Sequence, residues 1–192
     1  QEGVSPNLLV RGGNPITVYA VRENSRTTLD YLLTLKNLDV DQPNLSGENV
    51  LMMASVYGLL PEVKTLIDKR AATINKSGWT PLHYAASKGH LAIMDLLLEN
   101  HAYIDAESPN GTTPLMMAAM YGSPESVKAL IQAGADPTLK NQLGLSALDF
   151  AVRGQRQNSI ELMQAGLARW EARQKRSSPS QPSGAEPAPV AR

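Results

Sequence analysis

Apolar positions recur along the chain in short blocks with helical spacing. Val63, Leu66 and Ile67 lie at i, i+3 and i+4, and the same spacing returns from Met94 and from Val127. This spacing places apolar side chains on one face of a helix. Shorter, alanine-rich segments lie between these blocks and begin after Asn, Thr or Ser, which are side chains that cap a helix N-terminus. The pattern predicts pairs of short helices, each of which buries one face.

The predicted helix pairs recur with a regular period. Glycines at Gly47, Gly78, Gly111 and Gly144 are spaced by 31, 33 and 33 residues. Similar text follows each of them: GENVLMMASVYG, GWTPLHYAASKGH, GTTPLMMAAMYG and GLSALDFAVRG. A fainter copy, NPITVYAVREN, starts at Asn14. A unit that buries only one face cannot fold alone, so the repetition predicts a stack of units around one continuous core.

The ends of the predicted helices follow from capping residues and glycines. The predicted N-caps of the first helices are Asn14, Asn49, Thr80, Thr113 and Ser146. The glycines predicted to end these helices in the left-handed conformation are Gly58, Gly89 and Gly122. After the second helix, Asn37 and His101 replace Gly134, and both side-chain types tolerate a positive φ. Methionines in the first helices are predicted core residues: Met52, Met53, Met116 and Met117.

One copy carries a family signature. Thr80 to Ala86 reads TPLHYAA and is followed by Gly89 and His90, which resembles the T-P-L-H-x-A signature of ankyrin repeats with a period of 33. The resemblance implies an all-α solenoid of stacked helix-turn-helix units joined by hairpin loops. It also implies that the side chain at His83 ties adjacent repeats together. The first copy, with Tyr19 where alanine is usual, and the last, with Asp149 and Phe150, are expected to cap the stack.

The resemblance and the composition suggest three parts of the chain. Residues 1–13 form a short lead-in, and residues 14–176 form the predicted ankyrin-repeat domain, with units at about 14–46, 47–77, 78–110, 111–143 and 144–176. Residues 177–192 are rich in Pro, Ser and Ala and are predicted to be disordered, because they carry too little apolar surface to offset the entropy of ordering. The chain begins at Gln1, so we expect either export after removal of a signal peptide or a cytoplasmic location.

Composition excludes several kinds of chemistry. The chain has no cysteine and three histidines, and its carboxylate pairs, Asp39 with Asp41 and Asp105 with Glu107, lie in connectors predicted to be exposed. We therefore expect no catalytic residue, metal site or cofactor. The formal net charge is zero, but residues 37–136 sum to −5 and residues 153–176 to +4. The acidic body argues against nucleic acid, whereas the basic last helix could meet an anionic partner or simply be solvated.

Binding is expected on the surface that folding leaves free. The resemblance implies a concave face made from the hairpin tips and the exposed sides of the first helices. The predicted partner-binding residues are Tyr57, Trp79, Lys88, Pro109, Thr112, Met120, Tyr121, Leu145 and Arg153. The aromatic members could instead cover joints between repeats, and Trp79 could pack on its own hairpin. The predicted function is a non-enzymatic, monomeric module for protein–protein interaction. The alternative is an accessory or regulatory protein of an enzyme or a stress response, for example in the bacterial periplasm.

Overall fold

Helices stacked in pairs make up most of the computed structural model, which describes residues 5–10 and 12–177. Within these residues the helices are α1 Ile16–Arg22, α2 Arg26–Thr34, α3 Val50–Val56, α4 Leu60–Asp68, α5 Pro81–Lys88, α6 Leu91–Glu99, α7 Pro114–Tyr121, α8 Pro124–Ala133, α9 Ala147–Arg153 and α10 Gln157–Ser177. Two short antiparallel strands, β1 Leu9–Val10 and β2 Asn14–Pro15, precede α1. The predicted disordered tail lies outside the described residues, apart from Ser177 at the end of α10.

The odd-numbered and the even-numbered helices form two layers. Each first helix, from α1 to α9, contacts the next first helix, and the second helices α2 to α10 do the same. Leu51, Leu82 and Leu115 are fully buried between the layers. Alanines are fully buried along the first-helix layer, where their small side chains allow close helix packing: Ala54, Ala85, Ala118 and Ala151. The predicted all-α solenoid is confirmed.

The first helix of the stack begins one residue later than the sequence suggested. Asn14 belongs to β2, and Pro15 is the N-cap of α1, without a side-chain capping bond. Ala20 therefore takes the buried alanine position, and Tyr19 is exposed beside it. Two predictions were therefore wrong: that Asn14 caps α1, and that Tyr19 occupies the position where alanine is usual. The four other predicted caps are confirmed: Asn49, Thr80, Thr113 and Ser146.

Only some of the glycines predicted to end a first helix have the left-handed conformation. Gly58 and Gly89 both have a φ of 72°, as predicted. Gly122 has a φ of −79°, and it is needed for space, because an added Cβ would lie 2.4 Å from the carbonyl oxygen of Ala86. Gln155 takes the left-handed conformation in the last repeat, with a φ of 53°.

The residues after the second helices also depart from the prediction at one place. His101 has a φ of 64° and Gly134 a φ of 102°, as predicted. Asn37 has no positive φ, because α2 already ends at Thr34 and Leu35 continues in an extended conformation.

We call the loop between a second helix and the next first helix a connector. A ladder of polar side chains links each connector to the following one. Asn75 Oδ1 accepts from the amide of Tyr103 at 2.8 Å, and Asp105 Oδ1 accepts from the amide of Asp136 at 3.1 Å. Asp41 accepts in the same way from Thr73. The first rung comes from the lead-in, where Asn7 Oδ1 accepts from Asp39 at 2.7 Å. The lead-in thus makes the same kind of bond as a connector, and the ladder holds neighbouring hairpin loops together.

Candidate functional site

The exposed side of the first helices presents two rows of side chains. The rows lie four residues apart on each helix, which places them on one helix face. We call this surface the first-helix face and define it by Tyr19, Met53, Tyr84, Met117 and Phe150 in one row and Glu23, Tyr57, Lys88 and Tyr121 in the other. Tyr57 and Tyr121 are 51% and 56% exposed. Rigid helices therefore hold large aromatic groups in solvent on this surface.

A groove of about 540 Å³ lies on this face between α3 and α5. Its lining residues are Glu48, Met53, Val56, Tyr57, Tyr84 and Lys88. Most of the lining is apolar or aromatic, with one carboxylate and one ammonium group among the lining residues. Such a composition suits an apolar side chain of a partner, oriented by a small number of polar contacts.

Hydrogen bonds fix the polar side of the groove. The Tyr84 hydroxyl donates to Glu48 Oε1 at 3.1 Å, and Asn44 Nδ2 donates to Glu48 Oε2 at 2.9 Å. Burial, and then the charge of Glu48, raise the pKa of Tyr84 far above its usual range. The phenol therefore stays protonated and keeps its bond to Glu48, so this wall of the groove is preformed.

The predicted partner-binding residues differ in their exposure. Those that are exposed are Tyr57, Lys88, Pro109, Tyr121 and Arg153. Those that are half-buried are Trp79, Met120 and Leu145.

Thr112 does not belong with the exposed residues, because it is only 2% exposed. Its amide donates to Ser108 Oγ, and its carbonyl oxygen lies 2.9 Å from His83 Nε2. Its side chain therefore cannot provide a surface contact, which corrects the expectation that it is exposed.

Trp79 packs on side chains of its own repeat, one of which lines the groove. Its ring centroid lies 5.2 Å from that of His83 in an edge-on arrangement and 6.4 Å from that of Tyr84. The contact with His83 supports the reading that Trp79 has a packing role. The contact with Tyr84 places Trp79 next to a residue that lines the groove, and a binding role for Trp79 stays a prediction.

Sequence reasoning missed one row of the first-helix face. Tyr84 was not singled out, and Met53 and Met117 were assigned to the core. Met53 is buried but still lines the groove, and Met117 is half-buried. Met52, Met53 and Met116 are buried core residues, as predicted, and Met53 lines the groove in addition. The missing row could have been found from the sequence, because it stands four residues before the exposed row.

The side chain of His83 joins two adjacent repeats of the stack. Its Nδ1 lies 3.1 Å from the amide nitrogen and 2.9 Å from the hydroxyl of Thr80, and its Nε2 lies 2.9 Å from the carbonyl oxygen of Thr112 in the next repeat. Burial lowers the pKa of His83 to about 4. The imidazole is therefore neutral at pH 7, and it ties two repeats together as the resemblance implied.

The carboxylate pairs of the connectors have structural partners. Asp41 and Asp105 each accept from the next connector, and burial raises the pKa of Asp105 although the amide of Asp136 opposes that shift. The described residues contain no cluster of three or more His, Asp or Glu side chains that could hold a metal ion. Among the described helices, none combines the length and the apolar character that a membrane span requires.

Comparison with known proteins identifies similar sequences over most of the described chain. The family model for ankyrin repeats in three copies matches residues 17–108 and 100–167. The nuclear factor NF-kappa-B p105 subunit of Mus musculus is 35% identical over 153 residues, which are 77% of this chain and 16% of that protein. The IkB-like protein of African swine fever virus is 31% identical over 145 residues, which are 69% of this chain and 61% of that protein. The chain thus spans less than two thirds of the length of either relative.

Proposed function

Because the chain belongs to the ankyrin-repeat family, we propose that it is a non-enzymatic module that binds another protein through the concave face of its stack. The proposed surface is the first-helix face together with the hairpin tips. We infer that the repeat domain covers about residues 14–176. The rung that Asn7 contributes to the connector ladder favours including the lead-in as well.

The observation that carries the proposal is the groove bordered by Tyr57, Tyr84 and Lys88. Tyrosines and tryptophans are frequent anchors of binding energy, since they offer a large contact area for little loss of side-chain entropy. The bond between Tyr84 and Glu48 holds the groove open before a partner arrives. A partner would place an apolar side chain over Met53 and meet Lys88 and Glu48 with polar groups.

A second exposed aromatic extends the surface along the stack. Tyr121 stands in the row of Tyr57 and Lys88, two repeats away from Tyr57. A partner that contacts both tyrosines would have to follow the first-helix face across α3, α5 and α7. The proposal therefore predicts that truncation of the two tyrosines together weakens binding more than either change alone.

The chain offers matched control residues for this test. Tyr31 in α2 and Tyr103 in a connector are 64% and 68% exposed, but neither belongs to the first-helix face. The partner would be captured from the source organism and purified. Its Kd would then be measured for the wild type, for Y57A with Y121A, and for Y31A with Y103A. We expect the first pair of changes to weaken binding by at least about 30-fold, since anchor residues contribute about 2 kcal/mol or more.

Two outcomes would reject the surface assignment. One is unchanged affinity of the folded Y57A/Y121A protein, and the other is an equal loss in the control pair. The identity of the captured partner also tests the alternative function. An enzyme whose activity or lifetime changes on binding would make the chain an accessory or regulatory protein that uses the same face.

A further inference from the structure

A second groove, of about 490 Å³, lies between the end of α8 and the second half of α10. Ile131, Ala135 and Pro137 line one side, and Gly166 and Trp170 line the other. Gly166 lets α10 approach closely here, because an added Cβ would lie 2.9 Å from Ile131 Cδ1. None of the lining residues belongs to the first-helix face, so this groove is a separate surface.

One wall of the groove is basic. Arg169, Arg173 and Arg176 stand at i, i+4 and i+7 of α10 and all line the groove, and no Asp or Glu is among the described lining residues. Asp136, whose neighbours Ala135 and Pro137 line the groove, uses its Oδ1 to accept from the amide and hydroxyl of Thr138. One oxygen of this carboxylate is therefore engaged within its own turn, and Asp136 is not among the residues that line the groove.

Helix α10 is longer than the other second helices of the stack. The helix has 21 residues, whereas α8 has 10, and residues 153–176 carry a net charge of +4. Its second half is polar, except for a few apolar positions such as Trp170, which is half-buried in the groove. The extension thus adds an aromatic ring and a row of guanidinium groups to the end of the stack.

We propose that this groove binds an acidic segment of a protein partner, with one apolar side chain of the segment against Trp170 and its carboxylates on the arginines. Guanidinium groups form two-pronged hydrogen bonds that match the geometry of carboxylates. The apolar floor favours a peptide over a nucleic acid, whose charged backbone would gain nothing from Ile131 and Pro137. The acidic body of the stack, with a net charge of −5 over residues 37–136, would also repel a long polyanion.

A synthetic peptide tests the groove without knowledge of the natural partner. The probe is a fluorescein-labelled peptide of glutamates around a central Leu-Phe pair, with its glutamine counterpart as the neutral control. Binding is measured by fluorescence anisotropy at low salt. In the W79F protein, Trp170 is the remaining tryptophan, so its emission reports directly on the groove. We expect the acidic peptide to bind at least tenfold more tightly than the neutral one and to change the emission of Trp170.

Charge-matched variants separate the groove from general attraction. R169Q with R176Q removes two charges from the groove and should weaken binding at least tenfold. K128Q with K175Q removes two charges outside the groove and should change binding less than twofold. Circular dichroism confirms that both proteins are folded. Equal losses in the two variants, or no peptide binding by the wild type, would overturn the proposal.

Two further binding experiments identify which kind of molecule occupies the groove. Single-stranded DNA that binds the groove more tightly than the acidic peptide, and that loses affinity in R169Q/R176Q, would overturn the assignment to a protein segment. A chain that ends at Ser177 should bind the peptide as the full chain does. If the truncation strengthens binding tenfold, the chain's own C-terminal residues are the occupant, and the assignment to a partner is wrong.

Discussion

The third repeat, inside the stack, and the first repeat, at its end, differ in their helix caps and in their helix neighbours. Helix α5 has a capping box between Thr80 and His83, a left-handed glycine at Gly89, and first-helix neighbours on both sides. Helix α1 begins at Pro15 without a side-chain capping bond and contacts one first helix only. Neighbouring first helices therefore cover α5 on two sides and α1 on one side. The difference predicts that inner repeats carry the free energy of unfolding and that the ends open first.

The largest effect is expected from G122A, at an inner junction. An added Cβ would lie 2.4 Å from the Ala86 carbonyl oxygen and 2.9 Å from Ala118 Cα, so α5 and α7 would have to separate. We expect the free energy of unfolding to fall by about 3 kcal/mol or more, as for severe overpacking. Urea unfolding monitored by circular dichroism measures this loss.

The matched control for this change is G134A. Gly134 has a φ of 102° and no atom within 4 Å of an added Cβ, so alanine meets only backbone strain there. That strain corresponds to about 1–2 kcal/mol. A greater loss in G134A than in G122A would show that backbone conformation, and not space, explains these glycines.

The next effect is a dependence of stability on pH that originates in the inner stack. The pKa of His83 is about 4 in the folded protein and 6.5 when unperturbed, so the unfolded chain binds the proton first as pH falls. Stability from this group is complete above pH 6.5 and is lost as pH falls from there towards 4. Between pH 7 and pH 5 we expect a loss of about 2 kcal/mol, given 1.36 kcal/mol per pKa unit.

The variant H83Q tests the origin of that loss. Glutamine can still meet the carbonyl oxygen of Thr112, but it does not titrate in this range. Urea titrations at the two pH values should therefore show a smaller pH-dependent loss in H83Q than in the wild type. A similar loss in both proteins would assign the pH dependence to other groups and would remove His83 from the argument.

The sequence predicted the third repeat better than the first for a physical reason. The segment from Thr80 to Gly89 contains its own cap, proline and terminating glycine, so local chemistry determines the helix. At the first repeat, both Asn14 and Pro15 suit a helix start, and the pairing of β1 with β2 decides between them. That pairing depends on contacts between separate segments, which periodicity does not contain.

Other departures have the same origin. Gly122 is required by the position of Ala86, which lies in the preceding repeat. Thr112 is buried at the junction where His83 of the preceding repeat contacts its carbonyl oxygen. Tyr84 is different, since its spacing from Lys88 already placed it on the first-helix face. Of the candidate site, spacing could therefore have predicted the rows, but not which members are buried by neighbouring repeats.

A moderate effect is expected at the last repeat from S146A. Asp149 Oδ2 accepts from the amide and the hydroxyl of Ser146, both at 2.7 Å, and the Ser146 side chain is the main cause of the lowered pKa of Asp149. Loss of this cap should reduce stability by about 1 kcal/mol. A carboxyl titration by NMR should show the pKa of Asp149 returning towards its usual value, and hydrogen exchange should accelerate in α9 before α5. Unchanged titration of Asp149 in S146A would contradict this account.

The smallest effect provides the most direct comparison of an outer with an inner position. Asn7 and Asn75 make the same pair of bonds: Oδ1 accepts from Asp39 or Tyr103 at 2.7 and 2.8 Å, and Nδ2 donates to the carbonyl oxygens of Asn37 or His101 at 2.9 and 2.7 Å. Since the local chemistry is equal, N7A and N75A differ only in their place in the stack. We expect N75A to lower the global free energy of unfolding by about 1 kcal/mol, the usual value for such bonds.

N7A should have a smaller global effect, because the first repeat can open while the inner repeats stay folded. Its loss should appear as faster hydrogen exchange in β1, α1 and α2, with protection in α5 and α7 unchanged. Equal global losses in the two variants would mean that the stack unfolds as one cooperative unit from end to end. The contrast between outer and inner repeats would then describe how the helices are capped and not how stability is distributed.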